Sequence, residues 1–75
     1  MSFDELLKAA CEFAGLPNTA RIQLPSSLSA ETRKMVMKLS PEEFGRVLNE
    51  AIEAVNHGSV KSIDILVREN IRGMS

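Results

Sequence analysis

The chain contains one cysteine, Cys11, and one histidine, His57, the side chains best suited to nucleophilic attack, proton transfer or metal binding. With one of each, a single copy can form neither an internal disulfide nor a closed Cys/His zinc site. Cys11 falls in the middle of a predicted helix, so we interpret it as a small buried apolar residue. His57 falls in the last turn of another predicted helix, where a cation close to the terminal carbonyls is favourable. Both residues therefore have a structural explanation.

Adjacent carboxylates can supply a general acid and a general base, and the chain contains such pairs at residues 4–5 and 42–43. Each pair lies where a helix is predicted to begin. Ser2 and Ser40 are each followed three residues later by a glutamate, which is the spacing of a capping box. The sequence contains no glycine-rich phosphate loop and no HExxH, GxSxG or CxxC motif. It therefore predicts a non-catalytic protein without a cofactor or a metal site.

Size and composition are those of one small helical domain. A chain of 75 residues is expected to form a single domain, residues 1–75, that buries only about 60% of its unfolded surface. A net charge of −1 does not favour nucleic acid as a partner. The opening MSFDELL has no basic segment typical of an export signal, and no apolar run reaches membrane length. Together with the free cysteine, these features predict a cytoplasmic protein without a membrane partner.

Apolar periodicity and capping signals predict an all-α fold, a compact bundle of about four short helices. Ser2, Ser29 and Ser40 stand at predicted N-caps, while Gly15 and Gly58 stand where a left-handed residue ends a helix. The predicted helices span approximately residues 3–15, 30–39, 41–57 and 60–72.

The segment between predicted helices 1 and 2, Pro17–Ser27, is bounded by prolines and reads PNTARIQLPSS. Its residues 21–24 alternate polar and apolar, which favours an extended backbone with Ile22 and Leu24 pointing inward. Because it is too short and isolated to found a sheet, we predict an extended, packed connector.

Residues 59–72 carry two patterns at once. Val60, Ile63, Val67 and Ile71 share one helical face, yet the run SIDILV is rich in β-branched residues and alternates as a strand would. We predict a helix, because a lone strand would find a partner only in the short RIQL segment.

The apolar residues of predicted helix 1 cover well over half of its circumference, more than a surface helix of a small bundle needs. Either the other helices bury helix 1 completely, or part of it forms a surface between subunits. In the second interpretation Phe13, Leu16 and the neighbouring alanines contact another copy of the chain. We favour the second interpretation, because three short helices do not easily enclose a fourth.

Two further apolar residues, Met37 and Ile65, lie off the core-facing stripes of their helices and among positive charges. Each could bind a partner protein, although single exposed apolar residues are common on monomeric proteins. Gly45 lies in the first turn of predicted helix 3, where alanine would be more stable by about 1 kcal/mol. It either permits the close approach of another backbone or is tolerated near a fraying helix end.

Two functional hypotheses remain. The first is a small non-catalytic protein that acts through protein–protein interaction, as a homo-oligomer (most simply a homodimer) that also binds an unidentified protein. The alternative is a DNA-binding protein with a helix-turn-helix outline, formed by predicted helix 2, Ser40-Pro41 and predicted helix 3. Glu42 and Glu43 at the head of its recognition helix argue against DNA, because they would face phosphates with the wrong charge.

Overall fold

The computed structural model describes residues 1–74, and this part of the chain is helical with no strand. The all-α, compact prediction is confirmed, but the count of four helices is wrong, because the described residues form five. The helices are α1 (Phe3–Ala14), α2 (Asn18–Ser27), α3 (Ala30–Val36), α4 (Pro41–Asn56) and α5 (Ile63–Gly73). None of the helices within residues 1–74 is long and apolar enough to cross a membrane.

Serine hydroxyls begin four of the five helices. The Oγ atoms of Ser2, Ser29, Ser40 and Ser62 each accept a hydrogen bond from the backbone N–H three residues further along. The caps at Ser2 and Ser40 are complete capping boxes, as the sequence predicts. Gly15 ends α1 at φ 69°, a left-handed conformation that glycine adopts without strain. These local signals therefore fix where α1 and α4 begin and where α1 ends.

The predicted extended connector is wrong, because Asn18–Ser27 forms α2. Pro17 precedes the helix in an extended conformation, and Pro25 lies inside its last turn, where the missing N–H removes one hydrogen bond of the helix. Residues two apart on a helix point to nearly opposite sides. Leu24 is accordingly buried, whereas Ile22 is 74% exposed instead of pointing inward. The short alternation and the flanking prolines gave this segment the appearance of an extended chain.

The two neighbouring helices also differ from their predicted bounds. Helix α3 ends at Val36, three residues before the predicted end, and turns follow it as far as the cap of α4. The C-terminal segment is a helix and not a strand, but α5 begins at Ile63, after the cap formed by Ser62. Val60 lies in the preceding loop and is fully exposed. In this segment helical packing against α3 and α4 prevails over the β-branched composition.

One continuous core holds the five helices together. Helix α1 packs along α4 and against α2, and α5 packs against α4 and α3. Phe44 is completely buried at the centre, and the ring of Phe3 lies 6.4 Å from its ring. Every helix contributes to the buried apolar cluster, which consists of Leu6, Leu7, Ala10, Cys11, Leu24, Leu28, Val36, Phe44, Val47, Leu48, Ala51 and Val67.

Candidate interaction surface

The residues with chemistry of their own are placed as structural residues. Cys11 is only 4% exposed, and burial raises the pKa of its thiol, which disfavours the reactive thiolate. His57 is exposed at the C-terminal cap of α4. Among residues 1–74, no group of three or more His, Cys, Asp or Glu side chains is arranged to hold a metal ion.

The glutamates of the predicted capping boxes are engaged in those caps. The backbone N–H of Ser2 donates to Glu5 at 3.2 Å, and that of Ser40 donates to Glu43 at 2.8 Å. These hydrogen bonds lower the pKa of both carboxyl groups below the ordinary value, because they favour the charged form. A carboxylate held in this way is poorly suited to act as a general acid.

Phe13 stands apart from the other two aromatic residues. Phe44 is buried and Phe3 is partly buried against it, whereas Phe13 is 65% exposed. The sequence assigned Phe13 to the broad apolar face of helix 1, and the buried part of that face consists of Leu6, Leu7, Ala10 and Cys11. The bundle therefore covers most of the apolar face of α1 and leaves Phe13 outside.

Gly45 of α4 lies directly against Ala10 and Phe13 of α1. A Cβ atom at Gly45 would lie 2.7 Å from the carbonyl oxygen of Ala10 and 3.3 Å from the Cβ of Phe13. The two helices thus approach more closely here than a side chain would allow. Of the two explanations open from the sequence, the close approach is confirmed, and the other backbone belongs to the same chain.

Two shallow hollows flank the Phe13 side chain, each with a volume of about 260 Å³. One, which we call the α1/α4 groove, runs between the two helices and is lined by Phe13, Ala14, Glu42, Gly45, Arg46 and Asn49. The other lies beside Ala9 and Glu12 on α1. Asn49 joins the walls of the groove by donating from Nδ2 to the carbonyl oxygen of Ala14 at 3.4 Å. Phe13 is therefore an aromatic ridge between two depressions with polar edges.

The remaining predicted interaction residues do not share this surface with Phe13. Leu16, just after α1, is partly buried and packs against the core of its own chain. Met37 caps the C-terminal end of α3 and Ile65 lies in the first turn of α5, and each is 41% exposed. Phe13 and Leu16 thus lie near the C-terminal end of α1, whereas Met37 and Ile65 lie at α3 and α5.

Several of the positive charges that the sequence places around Met37 and Ile65 are engaged elsewhere. Lys61 binds Glu69 with both Nζ–carboxylate distances at 2.8 Å, and Arg68 bridges Glu31 and Asp64. The Arg33 guanidinium donates to the carbonyl oxygen of Pro25 and lies 5.2 Å from the centre of the Phe3 ring. Arg68 and Arg33 join neighbouring helices, and Lys61 pairs with α5 from the loop before it. These contacts reduce the positive charge available to a partner at Met37 or Ile65.

The structure shows a second exposed region that the sequence does not predict, because α2 is expected there as an extended connector. Ile22 and Pro25 of α2 face Asp4 and Lys8 of α1 across an open groove of about 390 Å³. The signal that would have found it is helical spacing, which places Ile22 opposite the buried Leu24.

Helices α3 and α4 follow one another in the chain through a short turn, as the helix-turn-helix alternative requires, and the outer face of α4 is acidic. Helix α4 packs against both α1 and α5, so only its outer face meets solvent. The exposed charged residues on that face are Glu42, Arg46, Glu50 and Glu53, three acids and one base. An acidic face would be repelled by the phosphate backbone.

Comparisons of the chain with models of protein families, with curated proteins and with solved structures each gave no match. The surface around Phe13 therefore has to be interpreted from its own chemistry.

Proposed function

We propose that this chain is a small non-catalytic protein that acts in the cytoplasm by protein–protein interaction and associates with itself, most simply as a homodimer. The observation that carries the proposal is the position of Phe13, an aromatic side chain 65% exposed between two hollows. We call Phe13 together with Ala9, Glu12, Arg46 and Asn49 the Phe13 surface.

The energetics of a small bundle support self-association. Removing a phenylalanine side chain from water stabilises a protein or a complex by roughly 1.5–3 kcal/mol. A domain of this size rarely has more than about 3–5 kcal/mol of stability from its own core. Covering Phe13 with a second subunit would therefore add an appreciable fraction of the total stability. Aromatic residues surrounded by polar groups are also the usual centres of protein interfaces.

A different protein is the second partner that we propose, and Met37 and Ile65 are the residues through which it would bind. Both are about two-fifths exposed, and they lie at the C-terminal cap of α3 and in the first turn of α5, outside the Phe13 surface. Self-association through α1 and α4 would leave them accessible.

Light scattering coupled to size-exclusion chromatography, at concentrations from about 1 to about 100 μM, tests the proposal for self-association. We expect a mass that rises toward twice that of the 8.2 kDa chain, together with a melting temperature that increases with concentration. A monomeric mass and a concentration-independent melt throughout this range would contradict it.

A further inference from the structure

We infer that two copies of the chain pair about a twofold axis that places the Phe13 ring of each in the α1/α4 groove of the other. In this arrangement Glu12 forms an ion pair with Arg46 of the partner subunit. The inference rests on the proposed self-association and specifies its geometry.

The shape of the surface around Phe13 supports this pairing. The Phe13 ridge and the α1/α4 groove lie side by side on the same face, and Phe13 itself forms one wall of the groove. When a twofold axis passes between Phe13 and the adjacent groove, Phe13 of each copy lies over the groove of the other copy. The same surface of both copies then forms the interface. Gly45 is buried against α1, so the part of the groove open to a partner's ring lies at the exposed side chains of Arg46 and Asn49. The two Phe13 rings would be close enough for offset packing.

The charges of Glu12 and Arg46 on either side of Phe13 also support this pairing. Glu12 lies on the side of Phe13 opposite the groove, and Arg46 lies on the α4 side of the groove. The same twofold axis therefore sets Glu12 across from α4 of the partner subunit, where Arg46 is the basic residue among the groove-lining side chains. Arg46 contacts Glu42 of its own chain at 3.7 Å, and both side chains are more than 60% exposed. Such a loose pair leaves the guanidinium able to reach a second carboxylate.

The area that the two copies can cover limits how tightly the dimer can associate. Helices α1 and α4 have 12 and 16 residues, which corresponds to lengths of about 18 and 24 Å. Two packed helices at about 9 Å separation present a face about 20 Å wide, so each copy can cover on the order of 400 Å². The two copies together would then bury about 800 Å², less than the roughly 1,200–2,000 Å² of stable specific interfaces, and we therefore expect a weak dimer with a dissociation constant in the micromolar range or above.

A charge exchange tests the ion pair. Glu12→Arg alone and Arg46→Glu alone each place like charges together at two symmetric contacts, and each should weaken dimerisation roughly tenfold in analytical ultracentrifugation. The double variant restores opposite charges and should return the dissociation constant to within about twofold of the original. Far-UV circular dichroism checks that each variant is folded. A dimer whose double variant is no tighter than the single ones would overturn the pairing but leave the proposed self-association intact.

Filling the groove provides a test that does not depend on charge. Asn49→Trp places a large ring where Phe13 of the partner subunit would enter, and we expect at least a tenfold loss of dimerisation with retained helicity. Ile22→Trp, in the other groove between α1 and α2, is the matched control and should leave the dissociation constant unchanged. An undiminished dimer in Asn49→Trp would overturn the inference alone. A wild-type chain that is monomeric at all concentrations would overturn both the inference and the proposed homodimer.

Discussion

The backbone N–H of Ser29 donates a 2.8 Å hydrogen bond to Oδ1 of Asp64, which joins the N-cap of α3 to the first turn of α5. The same carboxylate contacts Nη2 of Arg68 at 3.2 Å. Thr32, completely buried on α3, faces this group and shares a 3.1 Å hydrogen bond with the Ser29 hydroxyl. Because α3 has only seven residues, it depends on contacts with other helices, and this polar contact with α5 is one of them.

Replacing Asp64 with alanine should destabilise the protein. The change leaves the Ser29 N–H without its acceptor and removes a charge-assisted hydrogen bond, so we expect a loss of about 1.5–3 kcal/mol in the free energy of unfolding. Urea denaturation followed by circular dichroism measures it. Glu53→Ala, at an exposed position of α4, serves as the control and should change the free energy by less than about 0.5 kcal/mol. Equal stabilities of the two variants would show that the contact contributes nothing.

The same carboxylate should make stability depend on pH. Hydrogen bonds from the Thr32 hydroxyl and the Ser29 N–H lower the pKa of Asp64 below its ordinary value of 3.8. The contribution of Asp64 to the free energy of unfolding is therefore fully present above the pKa that Asp64 has in the unfolded chain. It is lost as the pH falls through the lower pKa that Asp64 has in the folded protein. We expect the stability difference between wild type and Asp64→Asn to be constant above about pH 5 and to shrink at lower pH. Urea melts across this range measure it, and a difference that grows on acidification would contradict the assignment.

Gly45→Ala should destabilise the chain, although alanine is the better helix former by about 1 kcal/mol. The added Cβ would lie 2.7 Å from a backbone oxygen of α1, so the two helices would have to separate. We expect a net loss of about 1–3 kcal/mol in thermal or urea unfolding. Gly73→Ala, where no atom lies within 4 Å of the new Cβ, should be neutral or slightly stabilising. A stabilised Gly45→Ala variant would mean that the helices adjust without cost.

Phe13→Glu should dissociate the proposed homodimer, because it would bury an unpaired charge in the interface. Light scattering should give a monomeric mass at about 100 μM, and the melting temperature should no longer depend on concentration. Ile22→Glu introduces the same charge at a comparably exposed apolar residue of α2 and should leave the dimer unaffected. If both variants behave like wild type, Phe13 is not in the interface.

Duplex DNA should not bind measurably at physiological salt, because the outer face of α4 is acidic and the net charge is −1. Fluorescence anisotropy with random-sequence duplexes measures this. Binding at about 1 μM that weakens steeply with salt, and that is lost in Lys34→Glu/Lys38→Glu, would support the helix-turn-helix alternative instead.

Local chemistry determined several features of this fold. Ser2, Ser29 and Ser40 were predicted as N-caps and Gly15 as a left-handed helix end, and each is found there. These interactions join residues three or four apart, so their signals are readable without knowledge of the rest of the chain. The apolar spacing of α1 and α4 is also a local signal. Together with the helix caps it was sufficient to predict an all-helical, compact protein.

Contacts between distant residues decided three features that the spacing of apolar residues in the sequence left open. Helix α2 has weak amphipathicity and contains a proline, so its local pattern resembled an extended chain, and its helical state accompanies the burial of Leu24 against the common core. The broad apolar face of α1 was visible in the sequence, but only packing against α4 separated its buried part from Phe13. The reason for a glycine at position 45 is likewise visible only in the structure, where the backbone of Ala10 lies too close to leave room for a side chain. Each outcome depends on atoms from distant parts of the chain, and a local pattern carries no information about which of them will meet.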